Sequence, residues 1–336
     1  MCALYIALSA FALFAALPFL ICAVSYRYVF GGRTDKHHYG LHPVLSDFPG
    51  LEREDFSVDD GRGARLSAFI YKRPAVEQLN IVAVVAHGLG GMHDDYLNVI
   101  DRFACDGFTV VSYDNTGCGA SEGKSRIGLT HSAVDLCRVL DSLRRIESFA
   151  HVPVCLFGHS WGGYAVCAAL GSRNDIAAVA SCSGFDSSRK ILAEKAAIIL
   201  TPAGARLLAP YFSLLELIRL GRSSRVTASE SISRSNAHVL LLHSIDDAMV
   251  GYGSSIAACF AHINNENVYA HVFSDRRHHV FYSDKSIETR RRLNALIRKH
   301  KHMDFPYTLD DIYGLDTRIM VEITNLFVRV CKASEV

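Results

Sequence analysis

The chain has 336 residues, half of them hydrophobic, with 35 Lys and Arg against 34 Asp and Glu and a formal net charge of +1. A chain so long and apolar builds a sizeable core, which excludes a disordered polymer and suits one large α/β domain or two small ones. The balanced charge argues against a nucleic-acid binder, which carries a marked basic excess.

Ala3 to Tyr26 carries no charged side chain, and Arg27 is the first charge. Such a run predicts a transmembrane helix over residues 1–30. No Lys or Arg precedes it, so an uncleaved anchor is expected rather than a signal peptide. The basic flank, Arg27, Arg33 and Lys36, then places the following domain in the cytoplasm. The ten cysteines form no C-x-x-C pair and lie mostly among apolar neighbours. They read as buried free thiols of a reducing compartment. Residues 31–50 are polar and turn-rich and read as a linker, with the folded domain at 51–336.

Phe56 to Tyr71 holds two strands around Asp59-Asp60-Gly61-Arg62-Gly63, a hairpin-type turn. Ile81 to Ala86 is a continuous apolar run, as in a strand buried on both faces, and ends at His87-Gly88-Leu89-Gly90-Gly91. Tyr96 to Cys105 has helical spacing. Thr109 to Tyr113 is a strand ending at Asp114-Asn115-Thr116-Gly117-Cys118-Gly119-Ala120-Ser121. Thr130 to Ile146 is an amphipathic helix. Val152 to Leu170 then reads as strand, sharp turn and helix, with Gly158-His159-Ser160-Trp161-Gly162 in the turn. This is the context that a G-x-S-x-G nucleophile elbow requires. A serine attacks a carbonyl only if it stands clear of the backbone, and a strained turn that holds it so needs neighbours with little side chain.

Ala177 to Ser183 is a short strand. Residues 185–236 interrupt the rhythm with two predicted helices, Ser187–Leu200 and Ala205–Leu220, the second strongly apolar at Tyr211 to Leu220. The segment is too long for a simple crossover and is expected to form a helical cap. Strands resume at Val239–His243 and Val268–Ser274. Asp284 to His302 is a basic helix, and Asp316 to Val330 closes the chain as another. The alternation predicts an α/β fold with a mostly parallel sheet whose ligands bind at the carboxyl ends of the strands. His87, Asp114 and Ser160 all follow strand ends and should share one rim.

A serine nucleophile needs a base, a group to orient that base, and donors for the oxyanion. Ser160 is the expected nucleophile. The acid should follow the next strand but one, at Asp246 or Asp247. Asp247 is preferred because in Asp247-x-x-Val250 the valine can turn back into the core. The base should follow the last strand, at His278 or His279, with His278 preferred. The backbone N–H groups of Leu89 and Trp161 are the expected oxyanion donors. His87 is expected to serve as a structural hydrogen-bonder and His159 to pack in the elbow. The glycines after Asp114 lack the G-K-[ST] ending of a phosphate loop, and no metal-ligand spacing appears. No cofactor and no metal are expected.

Together these motifs resemble the α/β-hydrolase superfamily, from about Phe56 to the C-terminus. His87-Gly88, Asp114-x-x-Gly117-x-Gly119-x-Ser121, Gly158-x-Ser160-x-Gly162, Asp247-x-x-Val250 and a late histidine carry the likeness. Asp-Asn-Thr-Gly at 114–117 and Gly-His-Ser-Trp-Gly-Gly at 158–163 are similar to the serine-aminopeptidase S33-like and monoacylglycerol-lipase-like branch, as found in bacterial membrane-anchored hydrolases. The resemblance implies the α/β-hydrolase fold, a Ser-His-Asp triad and a helical cap. It departs at Arg277, where the family usually has Gly before the base, so that a shifted loop would make His279 the base. The resemblance does not fix the substrate; the apolar stretch Tyr211 to Leu220 and the expected anchor favour a membrane-anchored serine hydrolase acting on carboxylic esters, lipid-derived ones included. A serine aminopeptidase or amidase with the same triad and a non-catalytic binding module are the alternatives. The expected partners are a small acyl ester or peptide substrate and a membrane, and no nucleic acid. In the aminopeptidase reading Glu194, Glu216 or Glu230 would bind the substrate amine.

Overall fold

The structure, a computed structural model, describes residues 2–299 and 307–333, with side chains from residue 16 onward. Its first element is α1 (Cys2–Phe30). The strands β1 (Glu52–Asp59) and β2 (Arg65–Lys72) form the hairpin expected around Gly61, paired antiparallel from Glu52↔Lys72 to Asp59↔Arg65. Then come β3 (Val82–Ala86), α2 (Leu97–Cys105), β4 (Thr109–Tyr113), α3 (His131–Leu143), β5 (Val154–His159), α4 (Trp161–Ala169) and β6 (Ile176–Cys182). The chain continues as α5 (Ser188–Ile199), α6 (Pro202–Leu220), α7 (Ala228–Ser233), β7 (His238–Ser244), β8 (Val268–Phe273), α8 (Asp284–Arg298), α9 (Leu309–Tyr313) and α10 (Thr317–Ala333). The short α7 and α9 have no counterpart among the expected elements.

All eight strands form one sheet in the order β1-β2-β4-β3-β5-β6-β7-β8. The β1–β2 and β2–β4 pairs are antiparallel and the rest parallel. Period-two alternation divides each inner strand between two cores. Val82, Val84, Ala86, Val154 and Leu156 join the layer of α3 and α4, whereas Ala83, Val85, Cys155 and Phe157 join the layer of α2 and α10. Both faces are covered, which is why β3 and β5 are apolar along their whole length. The order reverses at β3, flanked by β4 and β5, and the crevice at such a switch point receives the loops after β3 and β5. None of the described cysteines is in a disulfide.

The expected transmembrane span is overturned. Among the described residues no helix is long and apolar enough to cross a membrane. The reason lies in the second half of α1. Cys22, Tyr26 and Phe30, spaced four apart on one stripe, are 0, 2 and 1% exposed and belong to the domain core. They pack toward α6, with the Arg219 guanidinium over the Tyr26 ring at 5.1 Å. The end of α1 thus supplies a buried stripe to the domain core. The cytoplasmic placement, which rested on that span, falls with it.

Residues 31–50 are likewise tied to the body. Thr34 bridges Cys118, Arg33 donates to the carbonyls of Gly119, Ser121 and Gly123, and His37 Nδ1 lies 2.9 Å from Asp95. The basic run in α8 does not form one solvated face. Arg290 is 7% exposed and stacks among Tyr39, Tyr282 and Tyr313 at 4.2–5.2 Å, while Arg291 and Arg292 pair with Glu288. His300, Lys301 and His302 lie outside the described residues.

Candidate active site

Ser160 stands between β5 and α4 at φ 57°, ψ −110°. Holding a non-glycine residue there costs about 1–3 kcal/mol, which the surroundings must enforce. Its N–H donates to Cys182 O at 2.8 Å and its carbonyl accepts from Tyr164 N. The glycines beside it are obligatory through close approach. A Cβ on Gly158 would sit 2.2 Å from Gly162 O, and one on Gly162 would sit 2.1 Å from Ala86 O. The start of α4 is thereby pressed onto the end of β3, next to the loop that holds Leu89. The side chain of Ser160 is partly exposed and Leu89 is exposed. Trp161 begins α4, so its N–H is among the helix's first, unpaired donors.

The acid loop follows β7. Asp247 is 4% exposed. One oxygen accepts from the N–H groups of Met249 (2.7 Å) and Val250 (2.9 Å), and the other lies 2.8 Å from His278 Nδ1. Burial alone would push this carboxyl up, but the hydrogen bonds and charge of His278 and the Val250 N–H outweigh it and hold it below the usual carboxylate range. Val250 is buried in the core, as the Asp-x-x-Val spacing expects. Asp246 instead caps the neighbouring loop, accepting from Ser244 Oγ and Arg277 N. With Nδ1–H given to Asp247, the Nε2 of a neutral His278 is left as an acceptor.

His279 faces the other way. Its ring lies 4.9 Å from that of His159 and 5.4 Å from Tyr282, and its Nδ1 has no partner. Burial, then the Arg290 charge, drives its pKa well down. The departure at Arg277 resolves in the backbone. Arg277 takes φ 51°, the left-handed conformation for which glycine is suited. Replacing Arg277 by glycine should therefore keep turnover and leave stability unchanged or raised by about 1 kcal/mol. Urea unfolding checks this, and a clear loss of stability would show that the arginine side chain holds the loop.

His87 is fully buried, with Nδ1 2.9 Å from Gly88 O and Nε2 accepting from Asn115 N at 3.0 Å. It ties the strand ends of β3 and β4. Asp114, also fully buried, accepts from His93 N and Ala120 N. A Cβ on Gly119 would fall 2.3 Å from its carboxylate, so the glycines here close a turn around Asp114. Of the three candidate carboxylates in residues 185–236, Glu230 is exposed and Glu194 meets Lys195 Nζ at 2.9 Å and Gly251 N at 3.1 Å. Glu216 is 2% exposed, accepts only from Ser188 Oγ at 2.7 Å, and is pushed up to about 7 by burial. The contacts of Glu194 with Gly251 and of Lys195 with Ala248 O (3.2 Å) lay α5 against the acid loop.

Two residues that sequence reasoning passed over hold the base loop. Arg276 donates to Tyr282 O at 2.8 Å and pairs with Asp316 at 2.5 Å, both side chains 8% exposed. Nothing in the local pattern marks Arg276, because its partner lies forty residues on.

With serine, acid and histidine following β5, β7 and β8 in that chain order, residues 78–234 match the family model described as serine aminopeptidase, S33. The chain has the α/β-hydrolase fold and is S33-like over those residues. It superposes on an esterase from Pyrococcus furiosus with a TM-score of 0.56 at 18% identity, covering 80% of this chain and 98% of that one. In sequence it is similar to the quorum-quenching protein AidA of Acinetobacter baumannii, 31% identical over 136 residues, 38% of this chain and 44% of the relative. It is also similar to a proline iminopeptidase of Clostridium botulinum, 35% identical over 80 residues, 24% of this chain and 26% of the relative. The chain thus spans less than half the length of either curated relative it matches.

Proposed function

We propose that the protein is a serine hydrolase that cleaves carboxylic esters through an acyl-enzyme. The observation that carries this reading is the 2.8 Å Asp247–His278 pair, on the rim where Ser160 is held in a strained elbow. Ser160 Oγ attacks the acyl carbonyl and gives its proton to His278 Nε2. The N–H groups of Leu89 and Trp161 receive the oxyanion. The imidazolium, oriented and stabilised by Asp247, returns the proton to the departing alcohol, and water then releases the acid by the same steps. The apolar surface of α6, with Leu207, Leu214 and Ile218 exposed, favours hydrophobic acyl groups.

An aminopeptidase reading is favoured by the S33 family match and by the likeness to an iminopeptidase. It needs a carboxylate for the substrate amine. Glu216 is the one of the three candidates with a buried oxygen that has no hydrogen-bond partner among the described residues.

Fluorophosphonate labelling of wild type beside Ser160→Ala tests the shared chemistry, because such probes react with activated serines. Labelling of the wild type alone is expected. Equal labelling of both proteins, or of neither while folded, would remove the reading. Panels of p-nitrophenyl esters and aminoacyl p-nitroanilides then separate ester from amide cleavage.

A further inference from the structure

The mechanism leaves several buried histidines unused, and one of them adjoins its nucleophile. His159 precedes the nucleophile and is 3% exposed. Its Nε2 lies 3.0 Å from the carbonyl oxygen of His278, and its Nδ1 lies 2.7 Å from the hydroxyl of Tyr96. The Tyr96 oxygen in turn accepts the N–H of Gly88 at 3.0 Å. The proton positions follow from chemistry. A carbonyl only accepts, so Nε2 carries the hydrogen. Burial and then the neighbouring His278 lower the His159 pKa to about 3, so the ring is neutral and Nδ1 is bare. Tyr96 therefore donates to Nδ1 and accepts from Gly88. The chain of bonds runs one way, Gly88 N–H to Tyr96 O–H to His159 Nδ1, and His159 Nε2–H to His278 O.

This thread joins three segments distant in sequence. Gly88 immediately precedes Leu89, the candidate oxyanion donor. His159 precedes Ser160, and His278 is the candidate base. The approach is close enough that a Cβ on Gly88 would meet the Tyr96 hydroxyl at 3.1 Å and His159 Nδ1 at 3.4 Å. The His159 ring is also packed, 4.8 Å from that of His278 and edge-on to Phe281 at 5.1 Å. A buried, fully satisfied chain of this kind has one arrangement, and its members polarise one another.

We propose that Tyr96 and His159 are positioning residues that keep the oxyanion loop and the base loop in register across the nucleophile elbow. The proposal rests on the serine-hydrolase reading above. Both side chains are buried, 6 and 3% exposed, and neither belongs to the proposed triad. Each sets where the backbone of a reacting group lies, and displacement of such groups by an ångström lowers the rate without weakening ground-state binding.

The test compares wild type, Tyr96→Phe, His159→Gln and the double variant on a p-nitrophenyl ester, each well below its own unfolding temperature. Phenylalanine keeps the Tyr96 ring and removes the hydroxyl. Glutamine keeps a donor near Nε2 and loses the acceptor at Nδ1. The expected result is a fall in kcat of about 10- to 100-fold for each single variant, with KM changed less than about twofold. Because both substitutions cut the same link, the double variant should be no slower than the slower single variant. Wild-type kcat in the singles, losses that multiply in the double, or a loss confined to thermal stability would each overturn the proposal. Fluorophosphonate labelling of the wild type separates this from failure of the underlying reading. Without it the hydrolase reading itself falls, whereas a labelled wild type with unaffected variants rejects the positioning role alone.

Discussion

Replacing His278 by alanine is expected to lower kcat by about 10⁴- to 10⁶-fold, whereas His279→Ala should stay within about tenfold of wild type. The two histidines are neighbours in sequence but not in environment. His278 points Nδ1 at Asp247 from 2.8 Å. His279 lies against His159 and Tyr282 with its Nδ1 unpartnered. A base without an orienting acid spends little time in the right tautomer, and one buried among other rings and beside a cation resists accepting a proton. Ester turnover and fluorophosphonate labelling rate, measured side by side, decide the matter. Equal losses in both variants, or a larger loss in His279→Ala, would reassign the base.

Asp247→Asn is the second large effect. The amide can still accept from the Met249 and Val250 N–H groups, so the loop should keep its shape. It presents no charge to the imidazolium and favours the wrong tautomer, and kcat should fall about 10⁴-fold with KM nearly unchanged. The same substitution has a signature in stability. The folded-state pKa of Asp247 is depressed. Its charge therefore contributes stability above the ordinary carboxylate range, and that contribution disappears as pH falls through the depressed folded value. The stability gap between wild type and Asp247→Asn should be widest near neutrality and close on acidification. Chemical denaturation at several pH values measures it. A gap that widened in acid would mean that Asp247 is not held ionised by its neighbours.

Those parts of the molecule set by local pattern were legible in the residues. The buried strands announce themselves as Ile81–Ala86 and Val154–Phe157, and the elbow follows from two glycines whose Cβ atoms would strike carbonyls. The acid loop is marked by a valine that must return to the core. Contacts made across long separations were not legible. Hydropathy shows that residues 3–26 avoid water but not what covers them, and lipid and a protein surface look alike to it. Only the buried stripe Cys22, Tyr26 and Phe30 distinguishes a docked helix. Arg290 sits in a run of charges that masks its burial among three tyrosines from separate segments. Tyr96 and His159 are 63 residues apart, and their bond has no counterpart in spacing.

The segment between α1 and β1 has a mechanical consequence. Glycine-rich loops gain close approach by giving up side chains, and with them the means to fasten themselves. The turn after Asp114 and the loop after β3 are both of this kind. Arg33 grips three carbonyls of the first, and His37 grips Asp95, whose own carboxylate caps Met92 N just beyond the second. A single stretch of chain, borrowed from before the sheet begins, acts as a suture across both loops.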